Sequence, residues 1–492
     1  MKMVKSLRAM MCVAVLGLVA LAAHVVHSQT APMKIVDAPW EYEPVDPDFW
    51  KSALKLLEEK KYGEALDLSL PIEKKYGPSK IEGAEALLIS ADAFIGMDLS
   101  VLAYDNWLTV ARTHPNSNPA NLALNKISEF HAKNKFPTDQ ISRLVNEGRQ
   151  REVPGPAQSM LAYFTALDNM KKGYLEWVDL EIKKIEKGTF WHRQLRFMNA
   201  LASVRANKID QAVGELTTLS AETANEGWFK REIDWQLARL YLDQGQYDEA
   251  EKIYSGFLFS GRDFGRAMLE RAWIRYFKKD YSTSLGILYS MRAPFFDASR
   301  TPEQYLLSML IYRDLCHYTS VQDVAAEFER VFKTPFKEMR HGNLEKVPQL
   351  LSMVLVQGNV MPSADLISTV RRQKTRLKDG PVSALAEFLG RYHKILERKE
   401  TEVRTYLEYQ IRDNLELQAN RLLEAREQVK LLEYVAGIEK LRIEKGPRRE
   451  YASVKEEPQK YEKLYWNFKQ EFWWDETPNL RVLVKDRCGG GL

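Results

Sequence analysis

The stretch of sequence that decides the fold runs from residue 237 to residue 257 and reads LARLYLDQGQYDEAEKIYSGF. Its apolar residues follow the spacing of one helix face, at i, i+1, i+4 before Gly245 and at i, i+4, i+7 after it. A small residue, Ala250, stands where two antiparallel helices would touch most closely. The stretch therefore predicts a helical hairpin. The first helix face carries Leu237, Ala238 and Tyr241, and the second carries Ala250, Tyr254 and Phe257.

The position held by Ala250 recurs along the chain at a nearly constant step. The steps between copies are 38, 36, 38, 35, 38, 34 and 37 residues, which predicts about eight copies of one hairpin within residues 46–335. Two of the copies lack a small residue at this position, so their helix pairs are expected to be irregular. The positions are Ala65, Ala103, Asp139, Trp177, Ala212, Ala250, Ser284 and Val321.

This pattern resembles the tetratricopeptide (TPR) motif, whose repeat is 34 residues long. The resemblance implies an all-α fold: a TPR-type right-handed α-solenoid whose repeats share one continuous core. An unrelated bundle of helical hairpins is the alternative, and it would also be all-α. The composition agrees with a helix-rich folded chain, since only 25 Gly and 20 Pro occur among 492 residues.

The repeat is lost after residue 335, and the rest of the chain is predicted to be helical with an aromatic-rich tail. Residues 336–381 are expected to form capping helices. Residues 382–446 are expected to form one long helix, either a coiled coil or a helix laid along the solenoid, because apolar residues follow steps of three, four or seven. Residues 447–492 form the tail, whose seven aromatic residues between 461 and 474 are expected to dock somewhere.

The N-terminus resembles a secretory signal peptide. Three cations precede an apolar stretch over residues 9–23, and small or tolerated residues follow up to residue 28. An uncleaved membrane anchor is the alternative, because the stretch can be extended to Val26. Cys12 lies inside the apolar stretch, so no lipoprotein cysteine follows it. We therefore predict an exported protein, periplasmic or associated with the outer membrane, with a signal peptide at 1–28 and an extended segment at 29–45.

The net charge argues against nucleic-acid binding, and the cysteine count predicts a disulfide. Lys and Arg number 71 against 67 Asp and Glu, a net charge of +4 that is too even for a nucleic-acid binder. Removal of residues 1–28 leaves two cysteines, Cys316 and Cys488. In an oxidising compartment they are expected to form a disulfide across 172 residues. Two unrelated buried thiols are the alternative.

No motif for catalysis, metal binding or cofactor binding is found. The chain lacks a Gly-x-Ser-x-Gly elbow, a phosphate-binding loop and a dinucleotide-binding turn, and no two of its mature histidines lie within five residues. We therefore expect no enzyme activity, no cofactor and no metal. The basic run at 371–378 has no interleaved aromatic residues and is interpreted as a solvated helix end. Contact of this run with an anionic lipid or glycan, and so peripheral membrane association, is the alternative.

The TPR resemblance also implies a partner-binding face, formed by the first helix of each repeat. Such an apolar, aromatic groove with arginines at intervals suits an amphipathic helix or an extended hydrophobic peptide. The alternative is that the chain's own helix 382–445 or its tail fills the groove. The implied positions are Phe197, Leu201, Trp235, Arg239, Leu242, Leu269, Trp273, Tyr276, Leu306 and Arg313.

A weaker resemblance points to exported TPR proteins of gliding and predatory Gram-negative bacteria. It rests on residues 270–273, 315–318 and 472–476 and on the terminal Cys488. Together these features predict a non-enzymatic envelope scaffold that mediates protein–protein interaction. The alternative is an accessory or regulatory subunit of a cell-wall hydrolase or of outer-membrane assembly machinery. The sequence leaves the partner and the oligomeric state open.

Overall fold

The fold was analysed in a computed structural model. The predicted signal peptide, most of the segment 29–45 and the aromatic residues at 461–474 lie outside the described residues. Over the part of the chain that the structure describes, the regular secondary structure is helical and no strand occurs, which confirms the all-α class. The structure describes residues 42–147, 153, 155–257, 263–293, 296, 300–355, 360–379, 383–445 and 479–488.

The helices are numbered here in chain order, beginning with eight successive pairs. The pairs are α1 Pro47–Glu58 and α2 Tyr62–Tyr76, α3 Ile81–Gly96 and α4 Ser100–Thr113, α5 Asn118–Lys133 and α6 Asp139–Asn146, α7 Pro156–Lys172 and α8 Leu175–Ile182, α9 Phe190–Arg205 and α10 Ile209–Glu222, α11 Gly227–Asp243 and α12 Tyr247–Ser255, α13 Asp263–Phe277 and α14 Tyr281–Ser290, and α15 Pro302–Asp314 and α16 Tyr318–Val331. The remaining helices are α17 Lys333–Arg340, a 3-10 helix Leu344–Lys346, α18 Pro348–Leu355, α19 Met361–Asp379 and α20 Ser383–Lys445.

The chain divides into two compact units. Unit 1 comprises residues 1–233 and 358–409, and unit 2 comprises residues 234–357 and 410–492. In unit 1, helices of one pair pack on each other and on the next pair, as in α1 to α5. In unit 2, α12 to α16 pack in the same sequential manner. Neighbours in sequence are therefore neighbours in space within each unit.

The two helices of a pair are joined by one recurring turn. At its centre a residue adopts the left-handed backbone conformation, and its N–H bonds to the carbonyl three residues earlier. The next N–H bonds to the carbonyl five residues before it, which satisfies carbonyls left open at the helix end. Glycine, asparagine and aspartate tolerate this conformation, whereas lysine and cysteine are strained in it. The central residues are Lys60, Asp98, Gly173, Asn207, Gly245, Lys279 and Cys316.

The residue five positions after this turn residue is the close contact between the helices of a pair. Six of the predicted contact positions satisfy this rule, and each of them is 0% exposed. In the pair α7–α8, the residue five positions after Gly173 is Val178, which is half-buried. The assignment of Trp177 is wrong, because its side chain is 60% exposed. The six are Ala65, Ala103, Ala212, Ala250, Ser284 and Val321.

The pair α5–α6 departs from the pattern for a different reason. Residues 134–138 connect its helices without the left-handed turn, and α6 has only 8 residues. Asp139 is exposed at the first residue of α6, whereas Ile141 and Leu144 are buried. The assignment of Asp139 as a helix contact is therefore wrong, because the connection that sets the register is longer here.

Helix α20 covers the segment for which one long helix was predicted, and it packs on the chain itself. In unit 1, Tyr392 contacts Phe94 edge to face with 4.9 Å between ring centroids. In unit 2, Arg426 binds Glu329 through two hydrogen bonds of 2.6 and 2.8 Å. The seam of α20 is thus covered within each unit. Its buried residues from the predicted seam are Leu396, Val403, Leu415, Leu422, Ala425, Val429, Leu432 and Ala436.

The basic run at 371–378 lies at the end of α19 within unit 1, and most of its residues are exposed, as expected for a solvated helix end, although Gln373 and Leu377 face inward. The buried Gln373 accepts a hydrogen bond from the N–H of Val101 at 3.1 Å and so caps α4. Arg371 and Lys374 bind Glu400 at 2.9 and 3.1 Å. The hydrogen bonds from Arg371 and then Lys374 lower the pKa of Glu400 to about 2. The cations of the run are therefore mostly solvated, and the sequence analysis missed only the inward-facing Gln373.

Candidate interaction surfaces

The ten positions assigned to a partner-binding groove lie on first helices: two on α9 in unit 1 and the others on α11, α13 and α15 in unit 2. Six of them are buried among side chains of this chain: Phe197, Trp235, Leu242, Trp273, Tyr276 and Leu306. Four are half-buried and reach the surface: Leu201, Arg239, Leu269 and Arg313.

Trp235 shows why several of these side chains are buried. Its ring meets Tyr254 and Phe257 of the adjoining second-helix region nearly edge on, with centroids 5.3 and 5.1 Å apart. From α13, the guanidinium of Arg266 covers the ring, 4.4 Å from its centroid. The indole therefore fills the space within its own repeat and beneath the next one, as a core residue does.

Polar contacts join successive first helices in unit 2. Arg239 on α11 binds Glu270 on α13, with Nη2 3.0 Å from Oε1. The indole N–H of Trp273 on α13 donates to Oε1 of Glu303 on α15 at 2.8 Å. The helices α11, α13 and α15 are thus bound side by side through residues that the sequence assigned to a partner.

A second contact joins α13 to α15 nearer the turn. The hydroxyl of Tyr276 donates to Oδ2 of Asp314 at 2.8 Å. The same carboxylate binds the neighbouring guanidinium, with Nη2 of Arg313 2.7 Å from Oδ1. Arg313 therefore reaches the surface with its charge already partly satisfied, which fixes its orientation.

Burial shifts the pKa values of two members of this network, Glu303 and Arg266. Burial, and next the repulsion from Glu270, raise the pKa of Glu303 to about 7, against the hydrogen bond from Trp273. Burial and the neighbouring Arg239 lower the pKa of the Arg266 guanidinium. Near neutral pH the Glu303 carboxyl therefore exchanges between an ionised and a neutral form.

An exposed apolar patch in unit 1 was missed by the sequence analysis. Tyr174, Trp177 and Leu180 follow one another at i, i+3 spacing at the start and along α8, and each is at least 50% exposed. Met170, near the end of α7, is equally exposed. The sequence contained a sign of this patch, because Trp177 is too large for the close helix contact to which it was assigned.

Several exposed apolar residues also lie on α20 in unit 2. At 100° per residue they lie on the side opposite the buried seam, where charged residues such as Glu416, Glu424 and Glu427 stand between them. This side is therefore mixed in polarity, and the sequence analysis of the seam did not include it. The exposed apolar residues are Leu417, Leu423, Leu431, Tyr434 and Leu441.

The predicted cysteine pair comes together in unit 2. The sulfurs of Cys316 and Cys488 lie at bonding distance, 2.05 Å, with the Cα atoms 5.0 Å apart. Residues 479–488, which we call the C-terminal arm, lie against α14 and the turn before α16. The N–H of Val482 donates to the carbonyl of Ser282 at 3.0 Å, and the hydroxyl of Ser282 donates back to the carbonyl of Val482 at 2.8 Å.

Comparison with protein families and with curated proteins assigns no function to these surfaces. No protein-family model matches the chain, and no curated protein matches it significantly. Within the described ranges, no group of three His, Cys, Asp or Glu residues is placed to hold a metal ion. No helix among those described is long and apolar enough to cross a membrane.

Proposed function

We propose that the protein is a non-enzymatic scaffold of the cell envelope, a TPR-type right-handed α-solenoid whose first helices hold a partner protein. The observation that supports it best is the recurring left-handed turn followed five residues later by a close helix contact. The turn occurs in seven of the helix pairs, and in six of them the residue five positions later is fully buried. Repeats of this kind stack on their neighbours and present long surfaces to other proteins.

The partner-binding part of this surface is the accessible edge of the network in unit 2. Arg239, Leu269 and Arg313 reach the surface there, beside the buried Trp273. Arginine and tryptophan supply much of the binding energy in protein interfaces. The two guanidinium groups are held by Glu270 and Asp314, so little side-chain freedom is lost when a peptide binds them. An extended or helical peptide with apolar and acidic residues matches this edge.

Export is the second part of the proposal. The predicted signal at 1–28 would direct the chain to the periplasm, where a bridge between Cys316 and Cys488 is stable. The two sulfurs at bonding distance support this location. The scaffold would then act in the periplasm or at the outer membrane.

Site-specific photocrosslinking in intact cells tests the proposal. A photoreactive residue replaces Leu269, and a matched control replaces Leu68 on α2, a leucine that is 39% exposed on a second helix. We expect one abundant crosslinked protein from position 269, identified by mass spectrometry, and no comparable product from position 68. A cell-wall hydrolase or an outer-membrane assembly protein in that product would favour an accessory role.

A charge variant makes the same test quantitative. Leu269→Glu should lower recovery of the crosslinked partner at least tenfold, because it replaces an apolar contact residue with a charged carboxylate. Leu68→Glu should leave that recovery unchanged. Equal crosslinking from positions 269 and 68, or full recovery with Leu269→Glu, would contradict the proposed face.

A further inference from the structure

The two sulfurs of the Cys316–Cys488 pair have opposite surroundings. The Sγ of Cys316 accepts a hydrogen bond from the hydroxyl of Tyr318, with 3.2 Å between the atoms. The Sγ of Cys488 lies 3.2 Å from the carbonyl oxygen of Asp314. A donor stabilises negative charge on the first sulfur, whereas an acceptor opposes it on the second. Cys316 is therefore the better thiolate.

The position of Cys316 between two helices adds no preference of its own. It lies in the left-handed turn after α15, which ends at Asp314, and directly before His317, the N-cap of the 14-residue α16. The negative end of the first helix dipole and the positive end of the second act on it in opposite directions. Near Cys488, by contrast, the carboxylate of Asp486 accepts the N–H of Cys488 itself at 2.8 Å. An additional negative charge thus lies beside the second cysteine.

The two cysteines also differ in their exposure to solvent and so to an attacking thiol. Cys488 is exposed at the end of the C-terminal arm, whereas Cys316 is half-buried in the turn. Thiol–disulfide exchange needs a thiolate that reaches one sulfur, and it is faster when the other sulfur leaves as a stabilised thiolate. Both requirements select the same direction of attack.

We propose that this bridge is a thiol–disulfide exchange site, in which an external dithiol attacks Cys488 and Cys316 is the leaving group. The incoming thiolate forms a bond with Sγ of Cys488, the bond between the cysteines breaks, and its electron pair remains on Sγ of Cys316, which then takes a proton. The second thiol of the reagent displaces Cys488. One dithiol is oxidised to a disulfide while two cysteine thiols are produced, and a disulfide donor reverses the reaction.

Exchange at this site affects how firmly the arm is held on unit 2. Besides the bridge, hydrogen bonds hold the arm, among them Val482 with Ser282, the N–H of Arg487 with the carbonyl of Leu315 at 3.0 Å, and Nε2 of His317 with the carbonyl of Lys485 at 2.6 Å. Most of its residues are exposed. With the bridge open, the arm loses its covalent link to the turn before α16, and we expect it to leave α14 more often.

Gly286 on α14 shows how closely the arm lies. A Cβ atom added to Gly286 would stand 1.8 Å from the carbonyl oxygen of Leu480 and 2.8 Å from the N of Arg481. These are backbone atoms and cannot turn aside. A side chain at this position must therefore displace the arm without any change in the cysteines.

The direction of exchange is tested on the purified, oxidised full-length protein with reduced glutathione. The reaction is stopped with N-ethylmaleimide and the modified peptides are mapped by mass spectrometry. We expect glutathione on Cys488 and maleimide on Cys316 in roughly tenfold excess over the reverse pattern. Glutathione mainly on Cys316, or a bridge that opens only when the protein unfolds, would overturn the proposal.

A hydroxyl deletion separates positioning from general stability. Tyr318→Phe removes the donor to Cys316 and should slow exchange about threefold while the circular dichroism spectrum is unchanged. Tyr305→Phe is the matched control, since its ring packs on Phe328 and Phe332 in the same unit. Equal exchange rates for the two variants would reject the role of the hydroxyl.

Release of the arm is measured by trypsin cleavage after Arg481, followed by mass spectrometry. Reduction should raise the rate of this cleavage about tenfold, because a docked arm is protected. Gly286→Ala should raise it while the bridge is intact, and Gly437→Ala, with nothing within 4 Å of the added carbon, should not. An unchanged rate on reduction would refute arm release. These measurements use no partner, so they stand or fall apart from the scaffold proposal.

Discussion

The left-handed turn makes a sharp prediction, because the same substitution should have opposite signs at two glycines. Gly245 has φ +77° and lies at the centre of the turn between α11 and α12. Gly437 lies within α20, with no left-handed angle. Both belong to unit 2, so one unfolding transition reports on both. The change in each case is the addition of a single methyl group.

The magnitudes follow from the backbone and not from crowding. At Gly245 the nearest atoms to an added Cβ belong to the ring of Tyr247 at 3.8 Å, an ordinary contact. The left-handed conformation costs a non-glycine residue roughly 1–2 kcal/mol. The less flexible unfolded chain returns about 0.4–1 kcal/mol. Gly245→Ala should therefore destabilise unit 2 by about 1 kcal/mol.

At Gly437 the added methyl group has only effects that stabilise the folded state. The site has no atom within 4 Å of an added Cβ, and alanine is better than glycine in a helix interior by about 1 kcal/mol. Gly437→Ala should stabilise unit 2 by that amount. The two variants should differ by about 2 kcal/mol, or roughly 4–8 °C in midpoint temperature for a unit of this size.

The assay is urea denaturation followed by circular dichroism, supported by calorimetry, on oxidised protein. A companion variant extends the test: Lys279 holds the same turn position at φ +60°, so Lys279→Gly should stabilise by about 0.5 kcal/mol. If Gly245→Ala stabilises the protein as much as Gly437→Ala does, the turn is not left-handed and the register derived from it is wrong.

Three further predictions concern packing, titration and capping. Ala250→Leu should destabilise by about 1–3 kcal/mol because the site is 0% exposed, whereas Trp177→Ala should change stability by less than about 0.5 kcal/mol; urea denaturation distinguishes them. The raised pKa of Glu303 means that the folded state binds the proton more tightly, so stability contributed by this group is present below pH 4.5 and lost as the pH rises to about 7. Urea denaturation across this range should show that loss in the wild type relative to Glu303→Gln; parallel pH profiles would contradict it. Gln373→Leu should cost about 1–3 kcal/mol, because it leaves the buried N–H of Val101 without an acceptor, and hydrogen exchange should speed up in the first turn of α4; unchanged exchange would show that the cap is dispensable.

Much of the helical organisation could be predicted from the sequence, because it depends on local spacing. Helix-forming stripes and a small residue at each close contact recur at similar steps, and six of the eight assigned contacts proved to be buried. The two failures, Asp139 and Trp177, have different causes. The connection between α5 and α6 is longer and lacks the left-handed turn, whereas the turn at Gly173 places Val178, one residue after Trp177, at the corresponding position. Apolar spacing reveals neither difference.

The candidate site was predicted less well. The sequence selected Trp235, Trp273 and Tyr276 as partner contacts because of their positions on first helices, and the fold buries them. What decides their burial is the neighbouring repeat: Arg266 covers one ring, and Glu303 accepts the indole proton of another. Such contacts cross about 30 residues of sequence and have no periodic signature. Only the half-buried residues beside them remain for a partner.

The sequence by itself determined that this chain is helical, where most helix pairs make their close contacts, and that Cys316 and Cys488 are the two cysteines outside the N-terminal apolar stretch. Those properties depend on residue type and on spacing within a helix or between adjacent helices. Only the tertiary structure decided which side chains reach solvent, how α19 and α20 pack in their units, and what surrounds each sulfur. The physical reason is that these properties arise from contacts between distant residues, such as the pair 172 positions apart.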